Sequence, residues 1–410
     1  MQIPHTPDRF LRRFPDRFPD RFPPTDRFAE RFAPTDPAVP EEDPDRGDLL
    51  RYGWNEHVFD AFSPYAGQGL LPGRVVRVDR GGCRLITDRG AVRVEHADTP
   101  AGVIRDDDPT APPCPGDWAV LAPLPDGRWR LHALLPRRTV LLRSGAGRRS
   151  GAQALAANVD RVVVAVPLHT EPVPGRTERL VSLAWAAGAQ PVVVLTKADL
   201  APDVGQAITD TTAVAPGAPV LAVRARTGEG LPALADLLAH VTSVVVGPSG
   251  AGKSTLVNAL LGREEQRVSR IRESDGRGRH TTTSRDLLPL PGGGVLIDTP
   301  GIRGVGVWGA REGIRRTFAD VEEHAGGCRF ADCSHTAEPD CAVLAAVENG
   351  ELPERRLAGY RKLLREEARE ASRTDARLRA DRPREFKRRH RVMEEHMNRK
   401  YGPGGRTDRR

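Results

Sequence analysis

Gly247-Pro248-Ser249-Gly250-Ala251-Gly252-Lys253-Ser254 stands between the apolar run Ser243-Val244-Val245-Val246 and the helix-patterned residues 255–261. The spacing is G-x-x-x-x-G-K-[ST], in the strand-then-helix setting that gives this pattern its meaning. Glycines let successive backbone N–H groups turn inward around phosphate oxygens, and the helix N-terminus behind them adds a partial positive charge. Gly247, Pro248, Ser249, Gly250, Ala251 and Gly252 are therefore expected to wrap a phosphate chain. Lys253 should reach its outer phosphates, Ser254 should ligate Mg²⁺, and Thr255 should add a contact from the first helical turn.

Around this loop strands and helices alternate. Residues 161–166, 191–195, 220–223 and 243–246 are apolar runs, and residues 178–187 and 231–240 carry helical spacing between them. Continuous apolar strands separated by helices predict a parallel sheet covered on both faces. A further run, Gly294-Val295-Leu296-Ile297, ends in Asp298-Thr299-Pro300-Gly301, with Asp298 placed 44 residues beyond Ser254. An acid at the carboxyl end of a neighbouring strand can hold Mg²⁺, and the Gly301 N–H can contact a terminal phosphate.

The base is set by another segment. Thr196-Lys197-Ala198-Asp199 follows the strand ending at Leu195 and resembles the N-K-x-D guanine motif of small GTPases. A carboxylate at Asp199 accepts from guanine's ring N–H and amino group, whereas adenine offers no matching donors, while the Lys197 stem covers the ring. Thr196 replaces the usual Asn, which leaves open its contact to the base or the phosphate loop. Val223-Arg224-Ala225 lies where such proteins carry S-A-x; Arg224 replaces the serine, and the backbone N–H of Ala225 keeps its role toward guanine O6. Asp199 and Ala225 precede Gly247, the reverse of the Ras-like order. One sheet still forms if the original termini were joined and the chain reopened elsewhere, a circular permutation.

Upstream, residues 68–143 alternate apolar and polar with Gly-containing turns, which predicts a small all-β barrel. An OB-type barrel binding oligonucleotides, or a barrel used only for packing, both fit. Downstream, Cys328-x₄-Cys333-x-His335-x₅-Cys341 supplies three sulfurs and an imidazole, a set suited to one tetrahedral structural Zn²⁺ with no open position. Cys83 and Cys114 are expected to pack in the barrel region.

The 410 residues are too many for one core, as about 150 per domain is usual. The boundaries read as a disordered low-complexity arm at 1–48, a barrel at 49–145, the nucleotide domain at 146–321, and a zinc-binding helical domain with a basic tail at 322–410. In the arm, Phe10, Phe14, Phe18 and Phe22 recur every fourth residue, but Pro15, Pro19, Pro23 and Pro24 interrupt any helix. It is a bland extension or a partner-binding segment. No apolar run has a membrane-spanning length and no secretory leader is visible, so a cytoplasmic address and no membrane partner are expected. Five cysteines make no disulfide scaffold.

The net charge is +7, and residues 351–410 hold 20 Lys/Arg against 11 Asp/Glu. A basic tail on a near-neutral body points to a polyanion, or equally to a solvated helical face. Only five lysines occur, and two of them, Lys197 and Lys253, lie in the motifs above.

Gly116-Asp117-Trp118, Leu135-Pro136-Arg137-Arg138-Thr139, residues 196–199, the phosphate loop, Gly278-Arg279-His280-Thr281-Thr282-Thr283, residues 298–301 and the Cys/His set together resemble the ribosome-small-subunit-dependent GTPase A (RsgA) family. The similarity spans about residues 49–370. It implies an OB barrel, a circularly permuted P-loop GTPase domain and a C-terminal zinc domain, in this order. It also implies GTP hydrolysis to GDP, stimulated by the small ribosomal subunit and its rRNA in late subunit maturation, by a monomer. Gly278 to Thr283 then corresponds to switch I, with Thr281, Thr282 or Thr283 closing on Mg²⁺. Ile302 stands where Ras-like enzymes keep a water-orienting glutamine, so His280 is the candidate for that task, or else an rRNA contact or packing residue. Tail residues such as Arg388 and Arg389 would add phosphate contacts. Two other readings stay open: an rRNA-binding translational regulator that uses nucleotide exchange, and a permuted GTPase of the large subunit.

Overall fold

The computed structural model describes residues 49–79, 81–99, 110–144, 152–262, 286–298 and 309–374. The Phe-rich arm, the stretch from Gly278 through His280 to Thr283, Gly301, Ile302, and Arg388 and Arg389 of the tail lie outside the described residues.

Helix α1 (Glu56–Phe62) starts where the Asn55 side chain accepts from the Val58 N–H, an N-cap. Five strands follow: β1 (Leu71–Val78), β2 (Gly82–Thr87), β3 (Gly90–Glu95), β4 (Trp118–Pro123) and β5 (Trp129–Leu134). They pair antiparallel in the order β3–β2–β1–β4–β5, and β3 and β5 approach each other, so the sheet curls on itself. Its inner face is apolar: Val75, Cys83, Leu85, Val94, Leu121 and Leu131 form one buried cluster. Cys83 packs there as expected. Cys114 packs instead against Ala154 and Ala157 of the hairpin β6 (Val140–Ser144) and β7 (Ala152–Ala157).

Next come β8 (Arg161–Pro167), α2 (Pro174–Ala186), β9 (Gln190–Thr196), α3 (Val204–Val214), β10 (Val220–Val223), α4 (Leu231–Leu238), β11 (Thr242–Val246), α5 (Lys253–Leu261), β12 (Asp286–Pro289) and β13 (Val295–Asp298). The order across the sheet is β10–β9–β8–β11–β13–β12. The first five are parallel, and β12 runs antiparallel to β13. Val162, Val164 and Val166 pack toward Val181 and Ala184 of α2, while Val163 and Ala165 pack toward Leu234 of α4 and Leu256 and Val257 of α5. Both faces are covered, which is why these strands read as unbroken apolar runs. Helix α2 begins four residues before the sequence pattern suggests, because Pro174 sits in its first turn, where a missing N–H costs nothing. Helix α4 stops short of residue 240, where His240 takes φ 59°.

Two seams join the curled five-stranded sheet to the parallel one. Strand β1 pairs antiparallel with β12, with Arg77 opposite Asp286. Arg74, fully buried, donates to Thr242 Oγ1 at 3.1 Å and lies over the Trp118 ring at 4.6 Å. Burial pulls its pKa down to about 10 against the attraction of Asp160 and Asp117, so the guanidinium stays charged. The motif residues quoted above form the second seam. Arg137 grips both Asp117 oxygens at 2.7 Å, and Asn158 donates to the Gly116 carbonyl at 3.0 Å. Gly116 has φ 95°, and a Cβ there would lie 2.1 Å from the Ala157 carbonyl oxygen.

Helices α6 (Arg311–Thr317), α7 (Ala319–Ala325), α8 (Ala342–Glu348) and α9 (Glu354–Thr374) follow among the described residues. Helix α6 lies so close to α2 that a Cβ on Gly313 would meet the Ser182 carbonyl oxygen at 2.0 Å. Glu178 of α2, 1% exposed, accepts from Arg355 at 2.9 Å and Arg356 at 2.8 Å; Arg356 also grips Asp320 and lies over Phe318. Among the described residues no helix is long and apolar enough to cross a membrane.

Candidate functional site

In an open α/β sheet ligands collect at the carboxyl ends of the strands, where successive connections leave in opposite directions. Strands β8 and β11 form such a point, since the chain continues from β8 to β9 on one side and from β11 toward β12 and β13 on the other. The strand ends are in register: Val223 beside Thr196, Thr196 beside Pro167, Val164 beside Val246, and Val244 beside Ile297. One edge therefore receives Ala225 after β10, Lys197 and Asp199 after β9, the phosphate-loop sequence after β11, and Asp298 closing β13. The rotated sequence order is restored to one surface.

The loop after β11 depends on glycine. Gly247 has φ 152°, and a Cβ there would lie 2.6 Å from the Ala165 carbonyl oxygen of β8. Gly252 has φ 79° and is the residue from which α5 starts. Ser249 is exposed, while Pro248, Gly250, Ser254 and Thr255 are half-buried. Buried Lys253 donates from Nζ to the carbonyls of Gly247 at 3.0 Å and Pro248 at 2.7 Å. Burial lowers its pKa, and the Asp298 carboxylate opposes that shift. Asp298, itself buried, has its pKa raised to about 6, first by burial and then by Asp286, while Lys253 pulls it down. A lysine and a carboxylate thus face each other electrostatically beside a helix N-terminus. That donor set suits a phosphate chain with a divalent cation: Ser254 in the first helical turn offers a hydroxyl, and Asp298 offers a carboxylate.

The base segment meets this loop directly. Thr196 Oγ1 donates to the Ala251 carbonyl at 2.6 Å, both residues buried. A methyl group on Gly252 would lie 3.7 Å from Thr196 Oγ1 and 4.0 Å from Lys197 Cε, so the lysine stem runs past the loop. The contact to the phosphate loop that replacement of Asn had left open is therefore made by the threonine hydroxyl. Lys197 takes φ 56°, which turns the chain sharply after β9. Asp199 follows in a single turn, Ala198–Leu200, with its carboxylate exposed. Arg224 is not a base contact in this arrangement: its guanidinium pairs with Glu229 at 2.6 Å, and its N–H donates to the Glu229 carbonyl, closing the turn that leads into α4.

His169, on the connection from β8 to α2, was not anticipated. Its Nδ1 lies 3.5 Å from Lys197 Nζ, and burial, then the lysine charge, lowers its pKa. Position offered the signal, because His169 follows a parallel strand at its carboxyl end. Asp286 was missed as well, since no motif contains it.

The Cys/His set converges between α7 and α9. Cys328 Sγ lies 3.8 Å from Cys341 Sγ and 3.6 Å from His335 Nδ1, Cys341 Sγ lies 3.6 Å from the same nitrogen, and the ligand atoms of all four, Cys333 included, fall within 4.8 Å of one another. Zinc bonds of about 2.3 Å to sulfur and about 2.0 Å to nitrogen give tetrahedral edges of about 3.8 Å between sulfurs and about 3.5 Å from sulfur to nitrogen. The residues fit such an ion. The loop is shaped by Glu338, which accepts from the N–H groups of Ser334, Thr336 and Ala337.

The model of the RsgA GTPase family matches residues 134–308. The small ribosomal subunit biogenesis GTPase RsgA of Streptomyces avermitilis is 52% identical over 360 residues, covering 87% of this chain and 96% of that protein. The protein of the same name from Syntrophotalea carbinolica is 41% identical over 324 residues, covering 77% and 88%. Among solved structures, YjeQ from Thermotoga maritima aligns with a TM-score of 0.55 at 25% identity, covering 73% of this chain and 98% of that one. YloQ, described as a circularly permuted GTPase, aligns at 0.53 with 22% identity, covering 74% and 96%, and bears on the fold alone.

Proposed function

The chain belongs to the RsgA GTPase family of GTP-hydrolysing enzymes, and on that premise we propose that it hydrolyses GTP on the small ribosomal subunit during late maturation of that subunit. Relatives named as small ribosomal subunit biogenesis GTPases support the assignment. The observation that carries it is the Thr196–Ala251 hydrogen bond. It joins the segment bearing a guanine-type acid to the loop bearing a phosphate-type lysine.

In this reading Asp199 accepts the two guanine N–H donors, Lys197 covers the ring, and the Ala225 N–H donates to O6. A carboxylate left without its donors discriminates against adenine. Residues 247–252 wrap the phosphates together with Ser254 and Thr255, and Lys253 exchanges its carbonyl contacts for the outer phosphates. Ser254, Asp298 and one of Thr281, Thr282 and Thr283 would hold Mg²⁺, which neutralises charge on the phosphate oxygens when bound. Gly301 contacts the terminal phosphate, and His280 orients the attacking water. Cys328, Cys333, His335 and Cys341 hold a structural zinc, closed to water by having four protein ligands. The curled five-stranded sheet is read as an OB-type barrel that, with the zinc domain, grips rRNA, in a cytoplasmic monomer.

The test is GTP turnover by the full chain alone, with purified small subunits and with large subunits. Stimulation of about tenfold or more by small subunits only is expected, as for GTPases completed by a partner. No stimulation, or equal stimulation by large subunits, would overturn the reading.

A further inference from the structure

Arg77, Asp286 and Asp298 occupy one row across three neighbouring strands. Arg77 of β1 stands opposite Asp286 of β12, and Asp286 stands opposite Asp298 of β13. Residues directly opposite in antiparallel pairs project from the same face with Cβ atoms about 5 Å apart. The Arg77 guanidinium meets the Asp286 carboxylate at 3.5 Å. Lys253, at the start of α5, acts on Asp298 electrostatically from the phosphate-loop side. Two carboxylates directly opposite one another repel, and here a cation from β1 pairs with one of them while the phosphate-loop lysine acts on the other. Of the four, Arg77 belongs to another structural unit and keeps 46% of its side chain exposed, against 26% for Asp286.

We propose that Arg77 is a positioning residue for the metal site, acting through Asp286, so that the barrel sets how strongly Asp298 and its neighbour attract Mg²⁺. The proposal rests on the reading of Asp298 as a magnesium carboxylate. While Arg77 is paired, its charge offsets part of that of Asp286, which still acts on Asp298. Removing the guanidinium takes away that share of the compensation, makes the field beside Asp298 more negative and strengthens the pull on a divalent cation. Removing the Asp286 charge weakens that pull. A polyanion that drew Arg77 from β12 would act as the first change does, which couples occupancy of the barrel to the nucleotide site.

The opposite signs are the test. The Mg²⁺ concentration giving half-maximal GTP turnover is measured for the full chain, Arg77→Gln, Asp286→Asn, the double variant and Asp298→Asn, with thermal melts to establish that each folds. Arg77→Gln is expected to lower it about threefold and Asp286→Asn to raise it by a similar factor, as the change of one solvent-screened charge near a divalent ion should. The double variant should behave as Asp286→Asn, because Arg77 acts only through that carboxylate. If both single variants move it in the same direction, or neither moves it while Asp298→Asn does, the coupling is refuted and the metal reading survives. If Asp298→Asn leaves it unchanged, both fall together. Titrating Mg²⁺ into the GDP-bound chain by calorimetry supplies the same comparison for variants with slow turnover.

Discussion

Thr196 Oγ1 donates to the Ala251 carbonyl at 2.6 Å across 55 positions of sequence. It ties the end of β9 to the loop after β11 although β8 lies between those strands. Thr196→Val keeps the shape and removes the donor, leaving a buried carbonyl short of a partner. That costs about 1–3 kcal/mol, so GTP affinity should fall between about 5-fold and about 150-fold while Thr196→Ser stays near the parent. Nucleotide titration by calorimetry checks this; equal losses for Val and Ser would assign the effect to packing.

Asp298 makes stability depend on pH in a defined direction. Its folded pKa of about 6 lies above the ordinary 3.8, and burial is the main cause. The folded state therefore holds this proton more tightly than the unfolded chain does. The stability so gained is complete below the ordinary value and is lost as pH rises through about 6. In magnesium-free, nucleotide-free protein, Asp298→Asn should be more stable than the parent by about 3 kcal/mol near pH 7.5 and by only about 1 kcal/mol near pH 4.5. Urea unfolding at the two pH values measures the difference. A gain independent of pH would mean that ionisation of Asp298 is not its source.

The Cys/His set should carry about one zinc per chain, lost on Cys341→Ser. Because metal binding at such a site is folding free energy, loss of the ion should loosen α7, α8 and the start of α9 first. Metal analysis and limited proteolysis read the two effects. Full protection of those helices in a zinc-free variant would contradict them.

Much of this was legible beforehand. The apolar runs gave the strands because both faces of the sheet are covered, and the glycines expected to turn the phosphate loop inward include Gly247 at φ 152° beside the Ala165 carbonyl. The Cys spacing led to a set of ligand atoms that do converge. What sequence could not supply were relations across strands. Arg224 looked like a damaged base motif, and its pairing with Glu229 emerges only once the turn before α4 is built. Thr196 as a link to the phosphate loop needed the register of β8, β9 and β11. Asp286 belongs to no motif, and its place beside Asp298 comes from the pairing of β12 with β13 alone.

The seam between α2 and the C-terminal helices should be sensitive to charge. Arg356 is 3% exposed and bonds Glu178, Asp320 and the Thr317 carbonyl. Arg356→Met leaves a buried carboxylate with only Arg355, at a cost of about 3 kcal/mol. Adding Glu178→Gln should recover part of that loss. Urea midpoints of the two variants decide it, and no recovery in the double variant would show that packing, not the unpaired charge, dominates.

One measurement reaches the central claim, that a single pocket takes guanine at Asp199 and a triphosphate at Lys253. Affinities for GTP, ATP and xanthosine triphosphate are determined for the parent and for Asp199→Asn. Xanthine carries a carbonyl where guanine carries its amino group, so an amide at position 199 matches it and a carboxylate does not. The parent should prefer GTP over both others by about 100-fold or more, as sites built on paired polar groups do, and Asp199→Asn should transfer the preference to xanthosine triphosphate. A parent that binds ATP as well as GTP, or an Asp199→Asn variant with unaltered GTP binding, would place the base elsewhere and contradict the account.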